Sequence, residues 1–145
     1  MEKNKITIHT DGGSRGNPGS AAIGIVIEGL GEKKEYGEYI GVTTNNEAEY
    51  RAVIFALKKV KQLVGSDKAE MSQIVFYMDS ELLVKQLNHQ YKVKEENIQK
   101  LFLEVHNLQL DFGTVEFKHV LRGKNAEADK LVNQVLYREE NRLDL

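Results

Sequence analysis

Apolar and polar positions alternate from about Lys5 to Thr10, with β-branched residues at Ile6, Thr7, Ile8 and Thr10. That period of two predicts a strand. The glycine- and proline-rich stretch from Gly12 to Gly19 predicts a loop. Ala22 to Glu28 reads as a second strand, Gly29-Leu30-Gly31 as a tight connection, and Lys34 to Val42 as a third strand. An antiparallel meander is expected from these three. The period then lengthens. From Glu47 to Val64, the residues Val53, Leu57, Val60 and Val64 recur at helical spacing, and Gly65-Ser66-Asp67 ends the run. Gln73 to Met78 is a short continuous apolar stretch, the pattern of a strand buried on both faces. A helix is expected from Ser80 through Leu87 and another over about Glu95 to Leu110. Thr114 to Val120 reads as a fifth strand, and Asn125 to about Glu140 as a last helix carried by Leu131, Val132, Val135 and Leu136. Strand–helix alternation in the second half implies parallel strands joined by right-handed crossovers. The expected class is α/β, one mixed sheet covered by helices.

No Pro-, Ser- or Gly-rich linker and no internal repeat divides the 145 residues, so one domain over residues 1–145 is expected. Met1 to Ile6 lead straight into a strand pattern without the apolar stretch of a secretory signal. No run approaches the roughly 20 apolar residues that span a bilayer, so no membrane partner is expected. The chain has no cysteine, which removes disulfides and thiolate metal sites and fits a cytoplasmic setting. A net charge of −2 gives no overall attraction to phosphate. Any contact with nucleic acid must use local lysines and arginines, backbone amides and metal ions.

Four carboxylates stand at structural junctions: Asp11, Glu49, Asp79 and Asp129. Each has a plain structural use. Asp11 precedes two glycines, as turn-forming Asp often does. Glu49 fits a capping box with Asn46, and Glu47 fits one equally with Thr44. Asp79 can cap the next helix, and Asp129 suits the positive end of the last one. Against this, Glu49 heads an apolar stripe through Val53, Ala56 and Val60, and Asp129 shares a face with Val132 and Leu136. Both should point inward. Asp79 ends a buried strand, at the sheet edge where sites form. Four acids gathered away from water repel one another. Divalent cations relieve that repulsion, and oxygen-only ligands select hard ions such as Mg²⁺ or Mn²⁺. Metal-assisted phosphoryl chemistry is the expectation.

The segments Asp11-Gly12-Gly13-Ser14-Arg15-Gly16-Asn17-Pro18-Gly19, Thr44-Asn45-Asn46-Glu47-Ala48-Glu49, Asp79-Ser80 and Asn125-x-x-x-Asp129 occur in the order and context of type 1 ribonuclease H, which the chain closely resembles over nearly its whole length. The resemblance implies a five-stranded sheet, three strands antiparallel and two parallel, with helices on both faces. It implies hydrolysis of the RNA strand of RNA–DNA hybrids, leaving 5′-phosphate and 3′-hydroxyl ends. Asp11, Glu49, Asp79 and Asp129 would hold two Mg²⁺ ions, with Mn²⁺ as an alternative. Asn17, Thr44, Asn45 and Asn46 would contact the hybrid groove and a DNA phosphate, and Gly12, Gly13 and Ser14 the RNA strand. Two metals about 3.5–4 Å apart suit in-line displacement, and cutting only RNA requires sensing a 2′-hydroxyl. A monomer is expected.

Departures from the family pattern sharpen the expectations. Many members carry a histidine on the loop before the last carboxylate. Here that loop reads Leu121-Arg122-Gly123-Lys124. Arg122 is the expected substitute, ahead of Lys124, and it can orient a phosphate but not accept a proton. None of the four histidines is assigned to catalysis. The segment Asn88 to Lys94 is short and modestly basic where some members carry a long basic protrusion, so hybrid binding is expected to be weak or salt-sensitive. Two alternatives remain: the same fold acting on double-stranded RNA or DNA, or a hybrid-binding module without chemistry.

Overall fold

Asn4–Gly16 (β1), Gly19–Glu28 (β2) and Lys34–Thr43 (β3) form the antiparallel meander in a computed structural model that describes residues 4–143. Asn45–Val64 (α1) and the short Ser66–Glu70 (α2) lead to Ser72–Met78 (β4). Glu81–Leu87 (α3) and Glu96–Gln109 (α4) precede Thr114–His119 (β5), and a 3₁₀ turn at Arg122–Asn125 feeds Ala126–Leu143 (α5). The strand order is β3-β2-β1-β4-β5, with β1, β4 and β5 mutually parallel.

Alternation along β1 sorts the molecule into layers. Ile6, Ile8, Thr10 and Gly12 are buried on one face, where α1, α3 and α4 pack in one core with Ile25, Ile74, Phe76, Val53 and Leu57. On the other face Ala22 meets Val132, Val135 and Leu136 of α5. Gly24 brings α5 close: a Cβ there would lie 2.3 Å from the Ala128 carbonyl oxygen. Helices therefore cover both faces, as expected.

One expectation fails in a way that matters for the site. Residues Gly12 to Gly16 are not loop. They continue β1 and pair with β2 from Gly12↔Ile23 to Gly16↔Gly19, so only Asn17 and Pro18 form the turn. Gly12 is glycine because α1 crowds the strand, and Gly16 has a φ of 94° that suits glycine. A Cβ on Gly12 would stand 2.4 Å from the Ala48 carbonyl carbon and 2.6 Å from the Glu49 nitrogen. Because β1 continues to Gly16 while its pairing with β4 stops at His9↔Tyr77, a notch opens beside β1 beyond the ends of β4 and β5. Side chains from both layers can meet there.

Smaller differences lie at element ends. Helix α1 begins two residues early, with Thr44 as its cap: the Thr44 hydroxyl accepts from the Glu47 N–H at 3.2 Å. Asn46 is therefore not the cap. The α1 helix stops at Gly65, whose φ of 84° suits glycine. The α2 turn and the 3₁₀ turn are too short to leave a periodic signal.

Candidate active site

The notch collects the acids. Asp11 projects from β1 and Asp79 follows Met78, the last residue of β4. Glu49 comes from the first turns of α1 and Asp129 from the first turn of α5. Asp11, Glu49, Asp79 and Ser80 line one small pocket with Met78 and Leu83. Wider clefts at the α1–α4 junction contain none of the four acids.

Their electrostatics show the coupling. Burial is the main force pushing the Asp11 carboxyl up to about 8, followed by the charges of Asp79 and Asp129, a hydrogen bond with Asp129, and Glu49. Glu49 is pushed up to about 7, chiefly by burial and then by Asp79, while a Ser80 hydrogen bond and Arg122 oppose the rise. Asp79 is raised by burial first, against the pull of Arg122. Burial and the neighbouring carboxylates together favour the protonated form of Asp11. Burial is the larger cause for each of Asp11, Glu49 and Asp79, and the negative charge of neighbouring acids adds to it. Among the described residues no three Asp, Glu, His or Cys side chains are already closed to metal-ligand distance, so the set is coupled but open. All four donors are carboxylates, a chemistry that fits hard divalent cations.

Two polar residues beside the acids, Asn125 and Ser80, and a third on α4, Asn97, carry roles that the sequence did not assign. Asn125 is 1% exposed; its amide donates to the Thr10 carbonyl at 2.9 Å and also hydrogen-bonds Asp79. It thereby ties the head of α5 to the ends of β1 and β4. The Ser80 hydroxyl caps α3, accepting from the Leu83 N–H at 3.1 Å, and bonds Glu49. Asn97 of α4 donates to Glu47, whose carboxylate also accepts from Thr43. The only sequence signals are the positions of Asn125 one helical turn before Asp129 and of Ser80 beside Asp79.

The expected substrate set divides. Ser14, Asn17 and Asn45 come together: the Ser14 N–H donates to Asn45 Oδ1 at 2.9 Å, and the Asn45 N–H to Asn17 Oδ1 at 3.0 Å. Gly13 lies beside them, 4.0 Å from Asn45 Oδ1 at its Cβ position, and Thr44 is the helix cap. Asn46 is half-buried, with an Oδ1 that has no partner among the described residues. Gly12 is buried under α1. Arg122 lies at the rim, 87% exposed at its side chain, with Nε 3.9 Å from Asp79 Oδ2. Lys124 lines a separate pocket with His9 and Glu127. His119 ends β5, and His9 stacks on Tyr77 with ring centroids 5.2 Å apart.

An acidic notch at the carboxyl edge of a β3-β2-β1-β4-β5 sheet defines the ribonuclease H-like class of fold. The family model described as "Reverse transcriptase-like" matches residues 9–135. A ribonuclease H of Sulfurovum sp. is 32% identical over 130 residues, 89% of this chain and 88% of that protein. The bifunctional protein Rv2228c of Mycobacterium tuberculosis is 36% identical over 91% of this chain, which spans only 35% of that protein's length. Among solved structures, LC11-RNase H1, isolated from compost by a metagenomic approach, is 43% identical with a TM-score of 0.86, covering 94% of this chain and 98% of that one. Its complex with an RNA/DNA hybrid aligns with a TM-score of 0.82 over 89% of this chain and 94% of that one. The chain belongs to the ribonuclease H family.

Among the described residues no helix is long and apolar enough to cross a membrane.

Proposed function

We propose that this chain is a metal-dependent endoribonuclease that hydrolyses the RNA strand of RNA–DNA hybrids and leaves 5′-phosphate and 3′-hydroxyl ends. The observation that carries the reading is the electrostatic coupling of Asp11, Glu49, Asp79 and Asp129 in one notch. The four would hold two Mg²⁺ or Mn²⁺ ions, which supply the Lewis acidity for attack by water and for departure of the sugar oxygen. The reading takes the protein as a cytoplasmic monomer acting from one catalytic domain. It is tested on an end-labelled hybrid with Mg²⁺. The RNA should shorten to products with those ends while the DNA strand stays intact. Loss of the DNA strand would overturn it.

Beside the notch, the Ser14–Asn17–Asn45 network supports substrate selection. With Asn45 Oδ1 and Asn17 Oδ1 both accepting backbone N–H bonds, each amide turns its NH₂ outward. Two outward donors suit the acceptor-rich minor groove and the 2′-hydroxyls of RNA. They impose little sequence preference, because the minor-groove pattern is degenerate. Asn45→Ala should raise KM about tenfold with kcat nearly unchanged, since it removes positioning rather than chemistry. Its stability should fall only by about 1 kcal/mol, the worth of a hydrogen bond, because Thr44 caps the helix. Large destabilisation with unchanged hybrid affinity would instead make Asn45 a structural residue.

Arg122 stands close enough to Asp79 to feel the notch and exposed enough to reach a phosphate. Arg122→Ala should slow single-turnover cleavage about tenfold, in line with loss of one charged stabiliser at the outer rim of a site. The loss should be equal at all pH values, because the guanidinium does not titrate. Arg122→Ala matching wild type across pH would remove Arg122 from the reaction.

A further inference from the structure

The segment between α3 and α4, Asn88 to Glu95, is neither helix nor strand, yet it is held at several points. Helix α3 ends in a Schellman arrangement: the Gln90 N–H donates to the Lys85 carbonyl at 2.8 Å and the His89 N–H to the Gln86 carbonyl at 3.1 Å. His89 sits at the position that favours glycine, with φ of 63°. Asn88 donates to the Phe117 carbonyl at 3.0 Å, and Gln99 to the Val93 carbonyl at 2.9 Å.

Two further ties run to α1 beside the notch. At one end, the fully buried Tyr50, next to Glu49, donates its hydroxyl to Gln86 Oε1 at 2.8 Å. Gln86 is itself buried, and its Nε2 donates to the Lys92 carbonyl at 3.4 Å. That second bond orients the amide, because the reverse flip would set two oxygens against each other. At the other end, Asn97 donates to Glu47 in the first turn of α1. The helices on either side of the segment are therefore tied to the start of α1, α3 through Gln86 and α4 through Asn97, and Gln86 alone also reaches into the segment at Lys92.

What it presents is chemically consistent. Lys92 and Lys94 are exposed. Tyr91 is 50% exposed, with the Lys85 ammonium over its ring at 4.9 Å and 3.3 Å from its hydroxyl. Charge that meets phosphate, next to a half-exposed aromatic ring, suits a sugar–phosphate strand.

We infer that the buried Tyr50–Gln86 pair is a positioning device that holds the Tyr91–Lys94 segment in the pose in which Lys92 and Lys94 contact phosphates of the hybrid. This rests on the hybrid-cleaving reading for the identity of the ligand. A polar pair in a core layer is costly unless satisfied, and here its surplus donor goes to the backbone of the basic segment rather than to either helix.

The test separates the two readings. Binding of a fluorescent hybrid to the full chain is measured by anisotropy in EDTA over a series of KCl concentrations, and cleavage is measured separately with Mg²⁺. Tyr50→Phe keeps the ring and removes only the hydroxyl. It should weaken hybrid binding about fivefold and leave kcat within about twofold, a pure loss of positioning. Lys92→Ala with Lys94→Ala should flatten the salt dependence by about two phosphate contacts. In that lysine-free background, Tyr50→Phe should cost no further affinity, because the pair acts through those lysines. Gln86→Met, which breaks both bonds at similar size, should repeat the pattern if Tyr50→Phe fails to fold. An undiminished Tyr50→Phe effect in the lysine-free background overturns the inference, as does a lowered Tm with unchanged affinity. Failure of the wild type to cut hybrid, with these binding effects intact, would overturn the catalytic reading alone.

Discussion

Asp11→Asn is expected to abolish hybrid cleavage, by roughly a thousandfold or more, and to raise the melting temperature of the cation-free protein. The loss follows from position: Asp11 is the acid that feels the other three, and removing a group that stabilises developing charge typically costs two to three orders of magnitude. The gain in stability follows from linkage. The folded Asp11 carboxyl titrates near 8 against an ordinary 3.8, so it holds a proton that the unfolded chain has released. Stability from that proton is complete below about pH 4 and is lost as pH rises through about 8. Glu49, near 7 against 4.5, adds a loss of the same sign. Without cations, Tm should therefore fall steadily between those pH limits. Asp11→Asn should flatten the upper part of the fall, and Mg²⁺ should restore the wild type far more than the variant. A flat Tm profile for the wild type in EDTA would contradict the coupling.

Gly12→Ala is expected to cost about 3 kcal/mol or more, at the upper end of overpacking effects. The added Cβ would meet backbone of Ala48 and Glu49, which cannot rotate aside as a side chain can. Relief requires moving the head of α1, and that displaces Glu49 and the Asn45 network with it. Urea unfolding should show the stability loss, and hybrid cleavage should fall further than the unfolded fraction explains. Gly123→Ala is the control. It lies near Arg122 with nothing within 4 Å of its Cβ position and should stay within about 0.5 kcal/mol of wild type. A stably folded Gly12→Ala with only RNA affinity lost would make Gly12 a backbone contact to the RNA strand rather than a packing residue.

Gly12 also marks the boundary of what the sequence disclosed. Its neighbours Gly13 and Gly16 punctuate the chain as a loop would, yet they belong to a strand. Glycine at position 12 answers a demand for close approach that only the packed α1 imposes. Periodicity marked β1 and the long helices, where burial on one face leaves a regular trace, while β2 and β4 showed as apolar runs because both of their faces are buried. The Thr44 and Asn46 caps were equivalent in sequence, and only the folded geometry chose Thr44. The four acids were legible because each sits in a short polar signature or directly after an apolar run, although Asp11 lies inside β1 rather than at its end. Asn125, Ser80 and Asn97 were not, since each works through a partner distant in the chain. Tyr50 and Gln86 are further examples. In sequence they are two ordinary helix residues, and their pairing across 36 positions exists only after packing.

The central claim is tested most directly by presenting one labelled sequence as RNA–DNA hybrid, double-stranded RNA and double-stranded DNA, each with Mg²⁺, Mn²⁺ or EDTA. The account predicts cleavage of the hybrid's RNA strand with either cation, none in EDTA, and none of duplex DNA under any condition. Hybrid cleavage that persists in EDTA, or cation-dependent cutting of duplex DNA at a comparable rate, would contradict it.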